Sequence, residues 1–109
     1  MKTDKVYLEK IIDAVGQIES YTRKWTFVRF KADRKTQSAV ILQLILIGEE
    51  AKKVASKTRK NISLPWKQIT GFRNKAVHEY FSLDLQVVWK TIREEIPKVK
   101  KEILDYLKK

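Results

Sequence analysis

The stretch Gly71-Phe72-Arg73-Asn74-Lys75-Ala76-Val77-His78-Glu79-Tyr80-Phe81 holds the chain's one histidine, and an arginine where the hydrophobic period asks for an apolar residue. An imidazole ordinarily titrates near pH ~6.5, so His78 can take or give a proton at neutral pH. A guanidinium keeps its charge and grips phosphate in a planar fork. Projected on a helix at about 100° per residue, Ile69, Phe72, Ala76, Val77 and Tyr80 fall in one arc roughly 140° wide. Arg73 falls inside that arc, and a charge on a core-facing side is costly unless it gains a partner or lines a cavity. Asn74 and His78 stand one turn apart in a single row, and Arg73 and Tyr80, two turns apart, share another. From Arg73 to His78 the rotation is roughly 140°, so the two do not meet on one straight helix. Either the helix unwinds near His78 or a second copy of it supplies the missing partner.

Taken singly, these residues have ordinary readings: a snorkelling arginine, a capping asparagine, a histidine at a helix C-terminus and a core tyrosine. The elements that would position them read as helices throughout. From about Asp4 to Trp25, Leu8, Ile11, Ile12, Val15 and Ile18 recur at helical steps, with Thr3 or Asp4 as cap. Thr26 to Ala32 lacks a period and reads as a connection, and Asp33 is a plausible cap for a second helix from Arg34 to about Lys57. Its middle, Ala39 to Ile47, is apolar nearly all round, which predicts a central helix covered on most sides. Gly48 costs about 1 kcal/mol of helix propensity relative to Ala and so predicts close approach by another helix. Glu49, Glu50, Lys52 and Lys53 read as a solvated, ion-paired end.

Lys57 to Asn61 is a basic connection, and Ser63 or Leu64 precedes a proline in the first turn of the short helix that carries the motif. Ser82 is a candidate cap for a fourth helix with Leu85, Val88, Trp89, Ile92 and Ile96, which Pro97 kinks or restarts. Sustained alternation, hairpin dipeptides, Gly-rich phosphate loops and internal repeats are all missing from the pattern. The expected fold is all-α, a compact up-and-down bundle of four to five helices.

At 109 residues and 43% hydrophobic content the chain fits one small domain, 1–109, with one core. Its formal charge of +11, from 24 Lys+Arg against 13 Asp+Glu, favours a polyanionic partner, nucleic acid first, with an acidic protein or a membrane surface behind it. With no cysteine, neither a disulfide framework nor a thiolate metal site is available, and one histidine without an acidic cluster argues against a zinc or iron centre. No cofactor is expected. Met1-Lys2-Thr3-Asp4 leads into the first amphipathic pattern without a signal's apolar core, and the longest apolar run falls far short of the ~20 residues of a membrane span. A cytoplasmic chain is expected.

Arg73, four residues, His78, one residue, Tyr80 resembles the R-x4-H-x-Y signature of HepT-like toxins in the HEPN ribonuclease superfamily. The resemblance extends from about Asp33 to the C-terminus, through Ile47-Gly48-Glu49-Glu50-Ala51-Lys52-Lys53, Leu64-Pro65-Trp66 and Tyr80-Phe81-Ser82-Leu83-Asp84-Leu85-Gln86-Val87-Val88-Trp89. It departs at Glu50, where the family's Gly-Glu is followed by alanine, a change that bears on packing more than on chemistry. The resemblance implies the toxin of a type VII toxin–antitoxin pair, a helical homodimer that cleaves RNA without metal, with two motifs facing each other across the dimer cleft. Its implied antitoxin is a minimal nucleotidyltransferase that, in some members, transfers AMP to the motif tyrosine. Matched by position, Arg73 and His78 would be catalytic, Asn74 supportive and Tyr80 the acceptor of AMP.

Metal-free cleavage needs a group to take the proton of the ribose 2′-OH, one to protonate the leaving 5′-oxygen, and fixed positive charge for the phosphorane. One chain offers one histidine, whereas a symmetric dimer offers two, which favours a composite site at a twofold interface. Under this reading His78 transfers protons, Arg73 clamps phosphate and Asn74 orients the imidazole or substrate. An alternative keeps the fold and drops catalysis: a partner- or nucleotide-binding module of a nucleotidyltransferase pair, with its charge as docking face. A DNA-binding regulator fits less well, for want of a helix-turn-helix with a polar recognition helix.

Overall fold

Leu8, Ile11, Val15 and Ile18, spaced to fall on one helical side, form the buried face of α1 (Asp4–Thr22) in the computed structural model, which describes residues 3–109. Met1 and Lys2, the head of the expected leaderless start, lie outside the described residues. Thr3 sits at the N-cap without a side-chain capping bond, and Asp4 does not cap its own helix either. Its carboxylate reaches across the fold and accepts from the Ala55 N–H at 3.3 Å and from the Thr58 hydroxyl. That ties the start of α1 to α4 (Ser56–Arg59), whose N-cap is Ala55.

The expected connection after α1 contains a short helix, α2 (Phe27–Lys31), which Thr26 caps by accepting from the Arg29 N–H at 3.3 Å. Five residues are too few to declare a helical period, so only the cap marks it. Asp33 caps α3 (Arg34–Lys53) as expected, its Oδ1 accepting from the Thr36 N–H at 2.9 Å. The helix stops short of Lys57 because Val54 turns extended. Coverage of its apolar middle is also incomplete: Val40, Ile41, Leu44 and Ile47 are buried, but Leu42 and Leu46 are 52% and 42% exposed.

Lys10 with Glu50, and Asp4 with Ala55, pair the start of α1 with the end of α3, so the two run antiparallel. Glu50 is 8% exposed, and its carboxylate meets Lys53 at 2.9 Å and Lys10 at 3.6 Å. Burial pushes this carboxyl upward, but the two ammonium groups outweigh it and hold the group below its ordinary value.

α5 (Trp66–His78) begins after Pro65 and is fastened by Trp66, whose indole N–H donates to the carbonyls of Arg59 and Ile62 at 3.2 and 3.1 Å. Arg59 lies over that indole and donates to the Ala51 carbonyl at 2.7 Å, which fixes the end of α3 to the start of α5. After a 3-10 turn (Tyr80–Ser82), Asp84 and not Ser82 caps α6 (Leu85–Lys90), accepting from the Gln86 N–H at 2.8 Å. Ser82 instead donates to the Glu79 carbonyl at 3.1 Å. The chain then continues through a π turn (Thr91–Glu95) into α7 (Ile96–Leu107). The widened turn lies just before Pro97, where a regular α-helix would lose a hydrogen bond and crowd the ring.

α1 packs on α3 and α7, and α3 packs on α5. Phe30 is fully buried, its ring centroid 5.1 Å from that of Trp89. The described residues contain no strand, and the all-helical, up-and-down architecture expected from sequence is the one observed. Its four long segments are α1, α3, α5 and the run from α6 to α7.

Gly48 accounts for the closeness of α3 and α5. A Cβ placed there would overlap the Cβ of Arg73 and come within 3.2 Å of the Ile69 carbonyl oxygen. In an open helix Gly→Ala would add roughly 1 kcal/mol of stability, whereas overpacking costs about 1–3 kcal/mol. Gly48→Ala is therefore expected to lower the urea midpoint, and a raised midpoint would show that α5 is not tightly seated. Glu50 supplies a pH dependence. Its depressed pKa contributes stability above the unfolded carboxyl value, roughly 4.3, and that contribution is lost as pH falls through the folded value. Glu50→Gln should flatten the acid limb of the stability curve, measured as urea midpoint against pH, and leave the alkaline limb as it was.

Candidate functional site

α5 stays helical through His78 and ends at Glu79, whose N–H donates to the Lys75 carbonyl at 2.8 Å and whose φ of −129° and ψ of 38° leave the helix. The motif helix therefore does not unwind before its histidine. Within one chain Arg73 and His78 remain on faces about 140° apart. Tyr80 lies beyond the helix in the 3-10 turn, so the expected row of Arg73 and Tyr80 does not form. The arc expected to face the core is also only partly buried: Ala76 is enclosed, Ile69 and Phe72 are half-buried, and Val77 is 47% exposed.

Arg73 has the partner its position demands. Its Nε and Nη2 both meet one carboxylate oxygen of Glu49, and its Nη1 donates to Asn74 Oδ1 at 2.9 Å. Glu49, which reads as part of a solvated end, is thus the acceptor for the half-buried guanidinium. The signal in the sequence was its neighbour: a glycine that lets α5 approach at position 48 brings the next residue of α3 within reach of whatever α5 presents there. A guanidinium has five N–H donors. Three are engaged, and the outer edge keeps one on each Nη for an anion.

Asn74 and His78 are both exposed and lie one turn apart on α5. The amide that receives Arg73 thus stands in the same row as the imidazole and links the two faces. Tyr80 is held separately, its hydroxyl donating to Ser38 Oγ on α3 at 2.7 Å. A cavity of about 190 Å³ opens there, lined by Arg34, Ser38, Tyr80 and Phe81 among others. Phe81 is 94% exposed, its ring set edge-on to Tyr80 with centroids 5.4 Å apart.

The two contacts set the register of α3 against α5. Arg73 meets Glu49 near the end of α3 and Tyr80 meets Ser38 near its start, so the helices run antiparallel. Leu42 and Leu46 fall on the Ser38 row of α3, Val77 follows Arg73 by one turn, and all are exposed along with Phe81. Polar, chemistry-bearing groups thus flank an open apolar strip. Among the described residues no three of His, Cys, Asp and Glu gather as a metal-holding group, and no helix is long and apolar enough to cross a membrane.

A helical bundle of net charge +11 that offers an oriented arginine, an amide and a histidine along one exposed helix defines a class of protein suited to phosphate-bearing polyanions. The comparisons are narrower. The family pattern described as "Ribonuclease HepT-like" matches residues 11–105, and the chain belongs to this family of ribonucleases. A protein of Thermococcus cleftensis named "Probable ribonuclease HepT" is 40% identical over 100 residues, covering 91% of each chain. One from Caldanaerobacter subterraneus subsp. tengcongensis, bearing the name "Putative RNase", is 34% identical over 110 residues, covering 100% of this chain and 98% of its own. No solved structure matches.

Proposed function

We propose that the protein is a metal-independent endoribonuclease, the cytoplasmic toxin of a type VII toxin–antitoxin pair, with an active site composed from Arg73 and His78 of two copies. The observation that carries this reading is the Arg73 guanidinium, held by Glu49 and by Asn74 with an outer edge left for an anion, while Asn74 itself stands one helical turn from the exposed His78. RNA as substrate is supported by family membership and by the names of the relatives.

His78 takes the proton of the ribose 2′-OH, or gives one to the departing 5′-oxygen, and the second copy's imidazole performs the other transfer. Arg73 faces the phosphorane as its charge develops, already oriented and so needing little reorganisation. α5 is unbroken, which supports assigning the closing of the angle between Arg73 and His78 to another subunit. The open strip of Leu42, Leu46, Val77 and Phe81 beside the motif supports such a twofold arrangement, since it would be covered there. Tyr80 is the acceptor of AMP: its phenolic oxygen attacks the α-phosphorus of ATP bound to the nucleotidyltransferase antitoxin, and pyrophosphate leaves. An AMP group there would stand beside the strip and add negative charge where RNA must bind.

Purified protein incubated with total RNA in EDTA should cleave it, and His78→Ala and Arg73→Ala should each lose at least ~100-fold in rate, the usual scale for a proton-transfer group. Equal cleavage by all three would assign the activity to a contaminant and end the nuclease reading. With a minimal nucleotidyltransferase of the proposed antitoxin class and ATP, mass spectrometry should find AMP on the wild type but none on Tyr80→Phe. Modification of both alike would move the acceptor elsewhere.

A further inference from the structure

Arg93 leaves the π turn toward the C-terminal end of α1 and is fixed there on three sides. Its Nη2 donates to the carbonyls of Thr22 and Trp25 at 2.9 and 2.7 Å, and its guanidinium lies 4.3 Å from the centroid of the Trp89 ring. Those bonds use one nitrogen, so Nε and Nη1 keep their donors. Beside it opens a cavity of about 310 Å³ lined by Arg23, Lys24, Arg93 and Lys100, with Glu19 as the one carboxylate among its lining residues. Glu19 is committed to Lys100, 3.1 Å away, so the remaining three cations face the cavity uncompensated.

The backbone carries a second mark. Lys24 has φ 63°, the one positive φ of a non-glycine residue among those described. Lys24 follows the C-cap of α1, a position where glycine is the usual residue, so a lysine there costs stability that glycine would not. Next to the cavity, the Arg29 guanidinium lies 3.9 Å over the ring of Trp25, the same residue whose carbonyl receives Arg93. A guanidinium plane stacked on an indole is a surface on which an unpaired base stacks.

We propose that this cavity binds a phosphate group of single-stranded RNA, with Arg93 as the fixed fork, Arg23 and Lys24 as added charge, and Arg29 on Trp25 as the platform for the neighbouring base. It is built on α1 and the turn that follows it, α2, the π turn and the start of α7, and takes no residue from the motif helix, so it holds the strand at a second point. The assignment of RNA uses family membership alone and stands whether or not Arg73 and His78 cleave.

The test measures binding without cleavage, by fluorescence anisotropy of a labelled 2′-O-methyl RNA oligonucleotide, which has no 2′-OH to attack. Arg23→Gln with Lys24→Gln should weaken binding about twenty-fold near 0.1 M salt and reduce the slope of log K against log salt by about 1.4, roughly 0.7 per cation on a single strand. Lys108→Gln with Lys109→Gln, the same charge removed from the C-terminal tail, should cost only a few-fold. Equal losses from the two pairs would mean bulk attraction and overturn the site, as would no loss from the first. Lys24→Gly separates function from folding: it should raise the melting temperature, by relieving the positive φ, while weakening RNA. A Lys24→Gly that binds RNA as the wild type does would also overturn the proposal. AMP and inorganic phosphate are run as competitors. Displacement of the RNA by either at micromolar concentration would reassign the cavity to a mononucleotide or free phosphate, and selective loss of poly-glutamate binding would reassign it to an acidic protein.

Discussion

The ion pair of Arg73 and Glu49 exists only because Gly48 has no side chain. α5 lies so close to α3 that a Cβ at position 48 would occupy the space of Arg73's own Cβ. The arginine stem therefore runs along the α3 backbone, and its head comes level with the next residue, Glu49. Removing a guanidinium from water without a carboxylate would cost several kcal/mol, and a carboxylate without Gly48 would be out of register. The three residues act as a unit: one allows the approach, one carries the charge and one satisfies it. The oriented outer edge of Arg73 is a by-product of that packing, and it is the feature on which the proposed chemistry rests.

The same register decides what else lies along the helix pair. With Glu49 opposite Arg73 and Ser38 opposite Tyr80, the antiparallel alignment leaves Leu42 and Leu46 on the row between, next to exposed Val77 and Phe81. An apolar strip bounded by an ion pair at one end and a tyrosine hydroxyl at the other is poorly suited to water, and suited to a surface that repeats it. In the proposed twofold arrangement, the groups that would do chemistry and the groups that would hold the copies together share two helices. Modification of Tyr80 would then act on substrate access and on the interface together.

Much of this was legible in the sequence, and the failures have local causes. Arg73 was conspicuous as a charge on an apolar arc, Gly48 as a helix-weakening residue needing a reason, and Asp33 as a cap; each was met by a contact in the fold. Glu49 was not legible, because a run of mixed charges at a helix end looks solvated and only the position of α5 shows which acid is taken. Glu50, where the resemblance leads one to expect alanine, stands on the buried side and is tolerated because Lys10 and Lys53 converge on it. Tyr80 falls in the motif row only if α5 is extended two residues past its end at His78. Asp4 reads as a cap for its own helix, but its acceptors are engaged by Ala55 and Thr58, some fifty residues away, and no local pattern announces such a bond.

The net charge takes on meaning when the carboxylates are traced. Asp33 and Asp84 cap helices and Asp4 braces α4, while Glu19, Glu49, Glu50, Glu95 and Asp105 are paired with cations. Most of the acidic side chains are therefore engaged by a cap, a brace or a neighbouring cation. What remains to set the outer field is mostly lysine and arginine, and a field of that sign raises the encounter rate with polyanions without choosing where they settle. Choice requires cations that cannot follow the ligand about. The lysines are largely exposed, whereas Arg73 and Arg93 are each pinned by protein acceptors that leave part of the fork unspent. Arg59 is pinned as well, but between Ala51 and Trp66 inside a helix junction, where it holds the start of α5. In the proposed readings, two fixed forks on different elements, set in a positive field, would give a flexible strand two places to be held, only one of them on the helix that carries the histidine.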